Sequence, residues 1–209
     1  MAEYLICLDF EATCYPSKNQ RNKGWYQEIV DIGAALINLN DGDIESAFQC
    51  NVNTTEFFLT YGCKKKLGLD QDYLDGCPTL PSVLGRFCKW TKYLRDEHDL
   101  IMPWNSRSDY ENTYFCTWSN MDLGYFLPNE CSQKNISYAN YLKYWINGQE
   151  IFNEYIFGRN AKLHDAADYV GTKIVGDAHG AADDAKTLAY LMHDIFDNNN
   201  VNFEVKSCR

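Results

Sequence analysis

Residues 4–14 read YLICLDFEATC. The run 4–8 is apolar without alternation, and two carboxylates, Asp9 and Glu11, follow at once around Phe10. Such a run predicts a strand over 4–9 that is apolar on both faces and central in its sheet. Residues i and i+2 of a strand share a side and lie about 7 Å apart. Asp9 and Glu11 therefore project together from the strand's C-terminal end, while Phe10 points the other way, toward core. In open α/β sheets that end of the strands is where ligands bind. Two close carboxylates repel unless a cation lies between them or one takes a proton. A hard divalent ion with oxygen ligands meets that need. A solvated strand end with one salt bridge is the structural alternative, and Asp-x-Glu alone does not separate the two.

Outward from this strand, 28–39 (EIVDIGAALINL) reads as a second, longer strand with the turn NDGD behind it. ESAFQCNVN fits a third strand, completing an antiparallel meander. Apolar residues at 80, 83, 84, 87, 90, 91 and 94 predict a helix over 80–95. A polar, irregular stretch follows over 96–112. TYFCTW (113–118) reads as another buried strand, MDLGYFLPNEC (121–131) opens a helix, and 138–157 is helical or mixed. The clearest helix is the last, 179–197, with apolar positions 182, 185, 188, 189, 192, 195 and 196. Strands first, then strands alternating with helices, predict an α/β fold with a mixed sheet between helical layers. One domain over 1–200 is expected, with 201–209 as a short tail of little structural weight.

Composition narrows the class. Hydrophobic residues are 45% and aromatics 15% of 209, which suits a globular chain. No apolar run approaches the roughly 20 residues needed to cross a bilayer, so no membrane is expected. The start MAEYLICLDFEA has no basic segment and no small-residue cleavage site, so no secretory signal is expected. Nine cysteines without a Cys-x-x-Cys pair predict reduced thiols in an intracellular protein, with nucleus or cytoplasm left open. The net charge of −10 does not suit a protein that grips nucleic acid by bulk electrostatics. Local cations, bound metal ions above all, would have to do that work.

Two further acidic positions stand out. In HGAADDA (179–185), Asp184 shares a helix side with Leu188, close to core, and His179 precedes it by five residues. Asp183 and Asp184 are also what a helix N-terminus favours electrostatically, so the cluster alone decides nothing. A third element should supply another carboxylate, and Asp109 and Asp122 compete. Asp109 lies in the polar stretch, where a charge needs no explanation. Asp122 follows the apolar strand TYFCTW and begins a helix, so core placement sets its position, and it is preferred.

Asp9-Phe10-Glu11, Asp122 and His179…Asp184 together resemble, in order and context, the three motifs of the DEDD-type 3′→5′ exonucleases in their His-containing branch. DFEATC, EIVDIGAALINLNDGDIESAFQCNV, TWSNMDLGYFLPNECSQKNI, YWIN and HGAADDAKTLAYLM are similar to segments of the enhanced-RNAi and histone-mRNA 3′-exonuclease family, Snipper-like nucleases in particular. The likeness covers about residues 3–198. It implies an RNase H-like fold with a five-stranded mixed sheet flanked by helices, and two Mg²⁺ or Mn²⁺ ions. Asp9 would bridge both ions. Glu11 and Asp184 would hold the one that binds the attacking water, Asp122 would help hold the other through water, and His179 would be the general base. The implied reaction is hydrolysis of RNA from its 3′ end to nucleoside 5′-monophosphates, with single-stranded DNA left open as a substrate. A catalytically weak or inactive nuclease fold acting as an RNA- or protein-binding scaffold is the alternative. A proofreading subunit would share the chemistry and differ in partner.

The chain departs from the family at substrate-contacting positions. Met121 stands where relatives carry an aromatic residue that stacks on the terminal base. In YGCKKKLGLD (61–70), Gly62 precedes Cys63 where an aromatic is usual, Leu67 stands where Thr is common, and Tyr61 is the candidate substitute. Base stacking is worth roughly 1–3 kcal/mol per base, so these changes should weaken or redirect 3′-terminal binding. Phosphate contacts are sought at Lys64, Lys65 and Lys66 and in the Lys18/Arg21/Lys23 loop; a backbone contact at Phe10 is allowed by the resemblance.

Overall fold

The structure is a computed structural model that describes residues 2–14, 25–103, 111–158, 160–176 and 179–208. Asp109 and the Lys18/Arg21/Lys23 loop lie outside the described residues.

The apolar segment of the opening quotation forms β1, Tyr4–Ala12, and it is central. It pairs antiparallel with β2, Ile29–Asn38, and parallel with β4, Thr113–Thr117. Flanking both sides of β1 explains why Leu5, Ile6, Cys7 and Leu8 are all buried without alternation. β3, Ile44–Asn51, extends the meander beyond β2, and β5, Tyr144–Asn147, runs parallel beside β4. The mixed sheet expected from the sequence is present, in the order β3-β2-β1-β4-β5-β6. Its last member, β6 (Lys206–Ser207), corrects the expectation for the tail. The tail is tied down by Cys208 N–H to the Lys143 carbonyl (3.0 Å) and by Lys206 Nζ to Glu150 (2.8 Å).

Helices cover both faces. Helix α3, Leu80–His98, lays Leu80, Val83, Phe87 and Leu94 on the face that carries Ile6, Leu8 and Phe10. Helix α7, Ala181–Asn198, lays Leu188, Leu191, Met192 and Ile195 on the opposite face, against Leu5, Cys7, Ala35 and Ile37. Three short helices precede or flank these: α1 (Tyr61–Leu67), α2 (Gln71–Asp75) and, after β4, α4 (Leu127–Gln133). Past β5 come α5 (Gly148–Phe152) and α6 (Leu163–Val170), the latter beside α7.

Two local departures bear on the site. The helix expected over 121–131 begins as a wide π turn, Asp122–Phe126, before α4. Pro128 explains it: proline has no N–H, and its ring crowds the carbonyl four residues back, opening the preceding turn. The last helix starts at Ala181 rather than His179, and His179 adopts a left-handed φ of 76° just before it. No helix among the described residues is long and apolar enough to cross a membrane. All nine cysteines are free thiols.

Buried charge fixes the entry to β2. The Glu28 carboxylate accepts the backbone N–H groups of Thr55, Glu56 and Phe57, and the Glu130 carboxylate accepts that of Ile29 at 2.6 Å. Lys134 bonds both carboxylates. These bonds join the start of β2 to α4, the helix that continues from Asp122.

Candidate active site

β1 outruns its neighbour. Its pairing with β4 stops at Leu8, so Asp9–Ala12 pair only with β2. A backbone N–H left open on the β4 side needs an acceptor. The Asp122 Oδ1 supplies it, accepting from Phe10 N–H at 3.1 Å. Asp122 is thereby drawn to the end of β1 from a segment far along the chain. Phe10's side chain lies in the core on the α3 face, and its N–H is taken up by Asp122.

The α7 face carries the other carboxylates. Glu11 and Asp184 are buried. Asp184 Oδ2 accepts the His179 N–H at 3.0 Å, and His179 Nδ1 lies 3.5 Å from Glu11 Oε1. One donor atom from each of Glu11, His179 and Asp184 falls within 4.8 Å of the others. The left-handed turn at 179 is what leaves the imidazole outside the helix, with its side chain 46% exposed.

The register explains how α7 comes so close. Gly33 lies opposite Asp9 in the β1–β2 pair, on the face that α7 covers. A Cβ there would stand 2.0 Å from the Ala181 carbonyl carbon and 2.2 Å from the Ala182 nitrogen. Only glycine lets the N-terminal turn of α7 rest on the sheet backbone. Opposite Glu11 sits Asp31, buried on that same face, where it accepts from Gln49 Nε2 at 3.3 Å. Its other oxygen, Oδ1, has no hydrogen-bond donor among the described residues. Gly33 and Asp31 were not legible as site residues, because their relation to Asp9 and Glu11 depends on strand register. Their period-2 spacing within β2 is the one signal the sequence holds.

The electrostatics of the cluster suit a cation. Burial pushes the Asp9 carboxyl well above the usual range, and the charges of Asp122, Glu11, Asp184 and Asp31 push it further. Burial raises Glu11 to about 7 against an opposing pull from Lys66, and burial raises Asp122 to about 7 against the Phe10 hydrogen bond. Burial also raises Asp31. A donor set of clustered carboxylates fits a hard divalent cation with oxygen ligands. Burial lowers His179, and the Lys66 charge lowers it further, with Asp184 opposing.

Residues 6–192 match the RNase_T exonuclease family. The chain belongs to that family. This exonuclease is 33% identical over 192 residues to the 3′-5′ exonuclease Snipper of Drosophila melanogaster, a match covering 90% of the chain and 68% of that relative. It is 30% identical over 194 residues to ERI1 exoribonuclease 2 of Homo sapiens, covering 90% of the chain but 28% of that longer protein. Its fold superposes on the nuclease domain of 3′hExo, a DEDDh family member bound to rAMP, with a TM-score of 0.81 at 23% identity and 98% of both chains covered. The cell-death related nuclease CRN-4 matches with a TM-score of 0.78 at 20% identity, over 99% of the chain and 67% of its own.

The remaining sequence-derived positions lie beside Asp122 and on α1. Met121, 42% exposed, immediately precedes Asp122. Helix α1 is capped by the Thr60 side chain and by Gly68, and Cys63 anchors it: Cys63 Sγ accepts the Cys14 N–H at 3.0 Å, just past the end of β1. Tyr61 on that helix is 84% exposed, and Leu67 packs partly against Cys63, Val30 and their neighbours. Lys64 is paired with Asp70 at 2.8 Å and Lys65 is exposed. Among the described residues, Lys66, one turn from Cys63, is the cation whose charge acts most strongly on both Glu11 and His179.

Proposed function

We propose that this exonuclease hydrolyses RNA from its 3′ end, releasing nucleoside 5′-monophosphates, with two Mg²⁺ or Mn²⁺ ions held by Asp9, Glu11, Asp122 and Asp184. The observation that carries the proposal is the convergence of Glu11, His179 and Asp184 within 4.8 Å at the open end of β1, with Asp122 bonded to the backbone between Asp9 and Glu11. Bound divalent ions would supply Lewis-acid stabilisation of an in-line phosphoryl displacement and a nucleophilic water.

The chain's own residues do the rest. His179, held below its ordinary pKa by burial and by Lys66, is a neutral imidazole at physiological pH. Partly exposed beside Glu11, it is placed to accept a proton from the attacking water as general base. Asp122 and Asp184 are each fixed by a backbone N–H, so their carboxylates are oriented before substrate arrives. Tyr61 offers an exposed ring for stacking on a base, and Met121 offers an apolar contact beside Asp122. The names of the relatives, two of them exonucleases at 30% identity or more, support the polarity of attack and, for ERI1 exoribonuclease 2, an RNA substrate.

The test is direct. A 5′-labelled single-stranded RNA incubated with the protein and Mn²⁺ should shorten one nucleotide at a time, and chelation with EDTA should stop it. His179→Ala should lower turnover by about 10²–10⁴-fold, the usual contribution of a general base. A wild-type protein that releases no mononucleotide in the presence of metal would leave the nuclease fold as a binding scaffold.

Lys66, rather than Lys64 or Lys65, should carry the phosphate contact near the metal-binding carboxylates. Lys66→Gln is expected to weaken single-stranded RNA binding by roughly 1.4- to fivefold, because an exposed charge contact is worth about 0.2–1 kcal/mol. It should also reduce the slope of log affinity against log salt by roughly 0.7. Salt titrations of binding for both proteins check this, and an unchanged slope argues against a contact at Lys66.

A further inference from the structure

Asp184 is held from two sides. Its Oδ2 takes the His179 backbone N–H, while its Oδ1 lies 2.6 Å from the Nε2 of His164. His164 belongs to α6, a different element from any that carries the motif residues. Where the carboxylate holds a cation it can only accept, and the matching imidazole tautomer donates from Nε2. The contact has the short length of a charge-assisted hydrogen bond. The local fold is built to deliver it. Ala166 and Ala167 are fully buried and small, which lets α6 approach α7 closely, and Leu163 packs into the core beside α7. His164 follows Leu163 and is turned toward the first turn of α7, with its side chain 26% exposed.

The Glu11, His179 and Asp184 donor atoms gather within 4.8 Å, and His164 stands outside that group. It touches the cluster through Asp184. A carboxylate held by one hydrogen bond can still swing about its last bond; the His179 N–H on Oδ2 and the imidazole on Oδ1 together hold both oxygens, and each keeps a lone pair for a cation. Partners of this kind commonly contribute 10- to 100-fold in metal affinity.

We propose that His164 is a positioning residue that orients the Asp184 carboxylate for divalent-cation binding. The proposal rests on the reading that Asp184 is a metal ligand. It assigns a role to a histidine that the three motifs do not include, and it makes α6 part of the machinery by which the cation is held.

The experiment measures Mn²⁺ binding to the full chain without substrate, by the electron paramagnetic resonance signal of free Mn²⁺. The proteins are wild type, His164→Ala, His164→Gln and Asp184→Ala, with melting curves in chelator as a check on folding. His164→Ala should bind Mn²⁺ about 10- to 100-fold more weakly than wild type. His164→Gln keeps an N–H donor at a similar reach but is a poor metal ligand, so it should recover most of that loss. Asp184→Ala should lose more than either. Three results would overturn the proposal. Unchanged affinity in His164→Ala removes the coupling. Equal losses in the Gln and Ala variants make His164 a ligand in its own right. A fall in melting temperature in chelator that accounts for the loss, with no recovery in Gln, makes the residue merely structural. Cleavage assays on the same samples separate this from the wider reading. A protein that binds Mn²⁺ through His164-aligned Asp184 but does not cleave RNA defeats the exonuclease proposal alone. A wild type that binds no Mn²⁺ defeats both.

Discussion

Asp9→Asn is expected to make the metal-free protein more stable at pH 8 while removing metal-dependent cleavage. Burial and then the charges of Asp122, Glu11, Asp184 and Asp31 raise the Asp9 carboxyl far above its ordinary value, and Glu11 and Asp122 stand at about 7. A carboxyl whose folded pKa exceeds its unfolded value binds more protons folded than unfolded between the two. Its contribution is then fully present below the unfolded value and is lost as pH rises through the folded one. For Glu11 and Asp122 that window runs from roughly 4 to 7, given ordinary carboxylate values. Metal-free protein should therefore weaken across this window and be weakest above it, where the cluster is fully charged. An isosteric amide at position 9 removes the most crowded charge. Relief of about 0.5–2 kcal/mol is the scale seen when charge repulsion is removed, which is about 1–8 °C in melting temperature for a chain of this size. Melting curves at pH 5, 6, 7 and 8, in EDTA and in Mn²⁺, check this. Wild type should lose stability toward pH 8 in EDTA and regain it with Mn²⁺. Asp9→Asn should show a flatter profile and little response to Mn²⁺, and its turnover should fall by about 10³-fold or more, some 4 kcal/mol of transition-state stabilisation. A variant less stable than wild type in EDTA at pH 8 would contradict the repulsion account, and retained turnover would remove Asp9 from the site.

The second large effect is expected at Gly33. An added Cβ would press into the Ala181–Ala182 backbone at 2.0–2.2 Å, and no flexible side chain is there to yield. Overpacking ordinarily costs about 1–3 kcal/mol. Backbone against backbone belongs at the upper end, so Gly33→Ala should lower the melting temperature by about 6–12 °C. Because α7 begins at that contact and carries Asp184 in its first turn, the shift should also weaken Mn²⁺ binding. Gly85, on α3, gives a control of opposite sign. A Cβ there meets nothing within 4 Å, and replacing a helical glycine with alanine stabilises by about 0.4–1 kcal/mol where the backbone allows it. If Gly33→Ala melts with wild type and binds Mn²⁺ equally well, α7 is not seated as the structure shows.

These two residues show where sequence reasoning reached and where it stopped. Asp9 was legible from its neighbours: an apolar run ending in two carboxylates two residues apart is a local signal. Gly33 was an ordinary glycine in an apolar stretch until the β1–β2 register placed it opposite Asp9. Helix α7 was legible from its apolar period, although its first turn was not, because His179 takes a left-handed turn that no periodicity encodes. The tail was misjudged for a related reason. Lys206 and Ser207 carry no strand pattern, and they pair with β5 because that edge offers backbone partners.

By itself, the sequence determined the central strand, the Asp9–Glu11 pair facing one side, the final helix with Asp184 on its buried side, and Asp122 behind a core strand. All four follow from covalent spacing, since side chains recur every two residues in a strand and every 3.6 in a helix. Only the tertiary structure decided that Asp31 and Gly33 share the carboxylate face, that the Lys66 charge reaches both Glu11 and His179, and that His164 holds Asp184. Those relations join residues on different elements. Strand register and the packing of one helix on another create them, and no repeat along the chain records either.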